Sequence, residues 1–211
     1  MSQKAKENIL RRIQQSLETP TTRPMPKPDF SAPIYAPTGQ ETAIEFVERF
    51  KKNNGQFYYC ETQAELLQQL PALIQQKQLE HVYAWEENLV AMLSTTGIPF
   101  RWNDEQFLKA DTGITFCECL IARTGSIMVS SKQASGRRLT IYPHVHIVVA
   151  YTSQILPDIK DGLALVQERY GQRMPSMLSM ITGPSRTADI EKTLVLGAHG
   201  PKELVLFLVE G

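Results

Sequence analysis

The chain has 211 residues, 42% of them hydrophobic, and sets 22 lysines and arginines against 22 aspartates and glutamates. This is an ordinary globular composition, and the zero formal charge supplies no overall field to gather nucleic acid or an anionic membrane. No apolar run approaches the roughly 20 residues that span a bilayer, and no apolar stretch follows Lys4 and Lys6 as in a secretory signal, so a cytoplasmic protein is expected.

Residues 3–18 read as a helix with one apolar stripe, Ile9, Ile13 and Leu17, on a basic background. Residues 19–38 hold six prolines and read as an extended strap. The expected division is therefore an N-terminal helix and Pro-rich arm over 1–39 and an α/β domain over 40–211. Within the domain, helices are expected at 41–52, from Thr62 onward with Glu65 in capping position, at 85–94 and at 154–170. Strands are expected at 56–60, 81–84, 117–123, 126–130, 139–142, 145–150, 179–182, 192–196 and 204–209, the last two closing the sheet. The near-continuous apolar run Val145–Ala150 predicts a central strand. Helix–strand alternation followed by a hairpin at Thr124-Gly125 predicts a mixed, largely parallel sheet flanked by helices, with antiparallel hairpin additions.

Polar chemistry concentrates in Ser179–Glu191. Gly183-Pro184-Ser185-Arg186-Thr187 reads as an anion-binding turn: backbone N–H groups and an adjacent helix start, two hydroxyls, and a guanidinium that can grip a carboxylate or phosphate in bidentate fashion. Asp189 and Glu191 can orient Arg186, hold a cation or act as a base. His199 lies between glycines in Leu-Gly-Ala-His-Gly-Pro and suits proton exchange. His146 and His144 form an HxH pair that lacks a sequence-local third ligand, so no metal is assigned. Thr124 and Gly125 form a further loop of the site. Arg186, Asp189 and His199 are expected to share a pocket, with His146 on its rim or floor. Cys60, Cys117 and Cys119 include no CxxC pair and read as reduced, mostly core thiols. They are too few to hold an iron–sulfur cluster in this chain. Mononucleotide, dinucleotide and serine-hydrolase signatures are missing.

Four segments carry a resemblance: ADTGIT (Ala110–Thr115), CLIARTGSIMV (Cys119–Val129), YPHVHIVV (Tyr142–Val149) and TGPSRTADIEKTLVLGAHGPKELVLFLVE (Thr182–Glu210). On these the chain resembles the LUD-domain family, of the short lactate-utilisation protein C type, over roughly residues 40–210. The resemblance implies a fold similar to the NagB/RpiA/CoA-transferase group. It also implies a part in bacterial oxidation of L-lactate to pyruvate beside partners that carry the iron–sulfur motifs. Its motifs fall on Thr124, Gly125, Pro143, His146, Gly183, Pro184, Ser185, Arg186, Thr187, Asp189, Glu191, His199, Gly200 and Pro201. The expected ligand is a small anion such as lactate or pyruvate, while the cofactor and any homo-oligomer stay open. Two other readings stand beside this one. One is a stand-alone enzyme of the same fold acting on a phosphorylated, CoA or folate substrate; the other is a non-catalytic assembly or regulatory subunit.

Overall fold

A computed structural model describes residues 3–18, 35, 39–102, 106–190 and 193–211. It divides into two units, 1–39 and 40–211. The first contains the helix α1 (Gln3–Glu18). In chain order the second contains α2 (Thr42–Lys52), β1 (Gln56–Cys60), α3 (Gln63–Gln76), β2 (Val82–Tyr83), α4 (Glu87–Leu93), β3 (Phe100–Arg101) and β4 (Thr112–Thr115). The hairpin β5 (Cys119–Ile121) and β6 (Ser126–Ser130) follows, then β7 (Val145–Tyr151), β8 (Ile155–Leu156), α5 (Ile159–Tyr170), β9 (Leu178–Ile181), β10 (Arg186–Ile190), β11 (Thr193–Leu196) and β12 (Glu203–Val209).

Six strands in the order β1-β12-β7-β4-β2-β3 form one sheet, and every pairing in it is parallel. Helices α3 and α4 cover one face, packing Leu66, Leu70, Leu89 and Leu93 on Ile147, Val149, Val205 and Phe207. On the other face lie Phe46 and Phe50 of α2 and Leu120, Ile127 and Val129 of a second sheet, against Val148, Leu204 and Leu206. That second sheet has the order β8-β5-β6-β9 and is mostly antiparallel; α5 covers its outer side through Val166. Strands β7 and β12 are buried on both faces, which is why their sequences are apolar without alternation.

Several elements differ from the sequence reading for visible reasons. The helix expected from residue 154 starts at Ile159, because Pro157 ends the short strand β8 and Asp158 with Asp161 forms the capping box. Residues 139–142 form turns ahead of Pro143 instead of a strand, and Leu139 is fully buried over Gly113. Thr62 caps α3 at the Glu65 N–H as expected, although the Glu65 side chain returns to the N–H of Glu61. β11 pairs with β10 in a separate two-stranded ribbon, and β12 enters the interior of the main sheet between β1 and β7, so neither closes an edge.

Glu118, between the two buried cysteines, ties α5 to the second sheet. It is 1% exposed and accepts from Ser130 (2.6 Å), Tyr170 (2.7 Å) and the Arg169 guanidinium. A carboxylate can stay buried only when satisfied in this way. Glu118→Ala leaves the guanidinium and both hydroxyls without their acceptor. It is expected to lower the free energy of unfolding, measured in urea, by about 3 kcal/mol, against about 1 kcal/mol for Tyr170→Phe.

Candidate functional site

Two loops meet at the C-terminal turn of α2, and a third packs on the second of them. The first is the Thr124-Gly125 turn between β5 and β6. Gly125 has φ +60°, and a Cβ there would overlap the backbone of Arg49 and Phe50 in the last turn of α2. The second is the link from β9 to β10. Thr182 bonds Ser126 hydroxyl to hydroxyl at 2.7 Å, and Gly183, at φ +80°, presses on the Asn53 carbonyl so closely that no side chain fits. The third is Gly197–Pro201, ahead of β12. The Ser185 N–H donates to the Pro201 carbonyl (2.8 Å), and the Ser185 carbonyl accepts from the Gly197 N–H (2.9 Å). Gly200 lies against the Ser185 side chain.

Asn53, the residue that ends α2, joins the first two loops. Its Nδ2 donates to the Thr124 carbonyl (2.9 Å), and its own carbonyl accepts from Nη2 of Arg186 (2.6 Å). Arg186 is exposed, as are Arg49, Lys51 and Lys52 of the same helix end. Four cationic side chains thus gather where the α2 dipole itself is negative, an arrangement that stabilises the helix and offers charge to an anion. Asn53 carried no signal in the sequence beyond its place before a helix-ending Asn-Gly pair.

The structure brings Thr124, Gly125, Gly183, Ser185 and Arg186 to one place, with His199 exposed on the adjoining loop. Thr187 is half-buried in β10, Asp189 lies on the same strand, and Glu191 falls outside the described residues. A strand follows the Gly183 turn where the sequence suggested a helix start, and the Ser185 N–H is already engaged. The cationic group this turn exposes is therefore the Arg186 guanidinium, while the Ser185 N–H is spent within the fold.

His146 occupies a different environment. It is the second residue of β7, 0% exposed, with Nε2 2.9 Å from the Thr115 hydroxyl and Nδ1 without a hydrogen-bond partner. Burial lowers its pKa to about 3, so the ring is neutral at physiological pH. Its link to the loops runs through the backbone, where the Lys202 N–H donates to the His144 carbonyl at 2.8 Å. Burial likewise lifts the Cys119 thiol to about 12, which removes it as a nucleophile. Among the described residues no group of three or more His, Cys, Asp or Glu side chains could hold a metal, and no helix is long and apolar enough to cross a membrane.

The loops lie at the N-terminal ends of β1, β12 and β7, whereas ligands in open α/β sheets commonly bind at the C-terminal ends. A groove of about 410 Å³ does lie near that opposite end, lined by Ile44, Val47, Phe57 and Leu208. Its charged lining is Glu41, Glu48 and Glu210, a set that repels a small anion.

The model of the LUD domain matches residues 44–209. An uncharacterized protein of Neisseria meningitidis is 38% identical over 111 residues, covering 51% of this chain and 46% of that protein. Lactate utilization protein C of Bacillus licheniformis is 33% identical over 110 residues, with the same two shares. The chain thus spans about half the length of these curated relatives. Among solved structures, a DUF162 family protein from Deinococcus radiodurans superposes with a TM-score of 0.60 at 21% identity, over 80% of this chain and 96% of that one. The two share a mixed α/β fold with a largely parallel sheet flanked by helices, consistent with a NagB/RpiA/CoA-transferase-like topology.

Two outcomes follow from this geometry. Gly183→Ala forces a side chain onto the Asn53 carbonyl at a positive φ, and is expected to lower stability by about 2 kcal/mol in chemical denaturation. For His146, the folded pKa lies below the unfolded value of about 6.5, so the unfolded chain binds the proton more readily. Its contribution is fully present above about pH 6.5 and is lost as pH falls toward 3. Between pH 7 and 5, wild type should lose about 2 kcal/mol that His146→Gln does not lose, read from urea midpoints at the two pH values.

Proposed function

The chain belongs to the LUD-domain family, and on that premise we propose that it is a component of bacterial L-lactate utilisation that binds a small carboxylate, lactate or pyruvate, at the Arg186 loops. The observation that carries this reading is the family match over 44–209, together with the lactate utilization protein C relatives. Arg186 supports it chemically: the guanidinium keeps donors beyond the one given to Asn53, and forked donors suit a carboxylate. His199, exposed on the adjoining loop, exchanges a proton at the ligand's hydroxyl or carbonyl oxygen, with Asp189 as orienting carboxylate and Thr187 and Glu191 completing the polar set. His146, neutral and sealed, keeps the sheet beneath the loops in register. Electrons leaving lactate need a cofactor that side chains do not supply. They pass to iron–sulfur partner proteins, with no cluster in this chain.

The burial of His146 favours a second reading, in which the loops bind the metabolite without transforming it and the chain serves as an assembly or regulatory subunit. A reconstituted lactate-oxidising complex that stays active with His199→Ala would select it.

Deletion of the gene in a strain without a second copy should abolish growth on L-lactate and spare growth on glucose. Complementation with Arg186→Ala should fail on L-lactate. Pyruvate affinity, measured by calorimetry, should fall about 10- to 100-fold in that variant, the loss expected for charge-assisted hydrogen bonds. Unimpaired growth of the deletion strain on L-lactate would remove the assignment.

A further inference from the structure

We infer that Asn53 is the positioning residue of this site: it couples the Thr124-Gly125 turn to the Gly183–Arg186 turn and fixes where the Arg186 guanidinium is presented. The inference rests on reading these loops as the anion site.

Asn53 acts through two polar groups that reach different loops. The side-chain amide donates to the Thr124 carbonyl at 2.9 Å, and the main-chain carbonyl accepts from Arg186 Nη2 at 2.6 Å. That carbonyl stands at the end of α2, where the helix supplies no partner for its last oxygens. The guanidinium fills that need and meets the negative end of the helix dipole. Glycine at 183 and 125 lets both turns come within contact of the same helical turn, so the two bonds form across packed backbone. A free arginine side chain samples many rotamers, at an entropy of about 2 kcal/mol. Holding one nitrogen of Arg186 limits that freedom before a ligand arrives, while its other donors make no hydrogen bond among the described residues. Asparagine suits the position for its short reach and its donor. Aspartate has the shape without the donor, and alanine lacks both.

The full-length chain with Asn53→Asp or Asn53→Ala tests this. Both variants keep the main-chain carbonyl that accepts from Arg186 and lose the tie to Thr124, so the amides of 122–126 should exchange hydrogen about tenfold faster, as the loss of an ordinary hydrogen bond implies, and those of 182–187 should follow by a smaller factor as the helix end loses its tether. Protection in β7 and β12 should stay unchanged. Agreement between the two variants separates loss of the donor from the charge that aspartate adds. In calorimetry with pyruvate, Asn53→Ala should weaken binding in the wild-type background and have no effect in an Arg186→Ala background, a non-additivity that a purely structural role would not produce. Unchanged exchange in the two turns overturns the inference, and so does uniform loss of protection across the domain. Pyruvate binding equally tight in wild type and Asn53→Ala overturns it as well. If wild type binds no pyruvate while both turns still exchange faster in the variants, the coupling stands and the carboxylate reading falls.

Discussion

Strand β12 lies between β1 and β7, bonded to both in parallel register, and the candidate site hangs from its N-terminal end. Val205 aligns with Gln56 on one side and Ile147 on the other. These partners lie far apart in sequence, so the interior of the main sheet is complete only when the C-terminal segment has entered it. The residues just ahead of β12 are held too. Pro201 is buried and accepts from Ser185, and the Lys202 and Glu203 N–H groups both donate to the His144 carbonyl. Glu203 also takes Lys77 (2.5 Å) and Gln56 (2.8 Å), and Lys77 holds its carboxyl below the usual range. The loop that carries His199 therefore cannot shift far without withdrawing a buried strand.

Antiparallel register brings the other two loops to the same edge. In the second sheet the start of β6 pairs with the end of β9, Ile127 with Ile181, so the turn before β6 and the turn after β9 are neighbours by construction. The Ser126–Thr182 bond marks the junction. α2 packs beside this sheet through Phe46 and Phe50, and its last turn reaches the junction. Two glycines with positive φ follow from that crowding, since the backbone of each turn touches the backbone of the helix end. The site's location at the N-terminal ends of the parallel strands is thus a consequence of the second sheet, which a purely parallel α/β fold would lack.

The parallel sheet was legible because its strands are buried on both faces: Val145–Ala150 and Leu204–Val209 allow little besides strand. The hairpin at Thr124-Gly125 was legible from its turn residues. The polar cluster around Gly183 and Arg186 was recognisable as a place where loops meet. The order of strands was hidden, because an apolar run such as Leu204–Val209 does not encode its neighbours. The boundary at Ile159 was written in Pro157 and Asp158 but outweighed by helical periodicity around it. Asn53 was invisible, because its role depends on two loops more than 70 residues away. His146 was placed at the site by its motif, yet alternation along a strand does not tell whether a side chain meets solvent or the packed layer between two sheets.

Zero net charge conceals a separation that α2 organises. Its first turn holds Glu45 after Glu41, and its last turn holds Arg49, Lys51 and Lys52, as the helix dipole favours. The helix runs from the acidic groove near the C-terminal ends of β1 and β12 to the loops at their N-terminal ends. A small anion approaching the domain meets repulsion at one end and Arg186 with three further cations at the other. At physiological ionic strength these exposed charges act over about 8 Å, so they can choose the end at which an anion arrives but cannot hold it there. Retention has to come from directed hydrogen bonds, and at this end Arg186 is the side chain that combines full charge with a fixed anchor. On the proposed reading, the separation of tasks, diffuse charge for capture and one tethered guanidinium for grip, follows from where α2 ends and from what its last carbonyl needs.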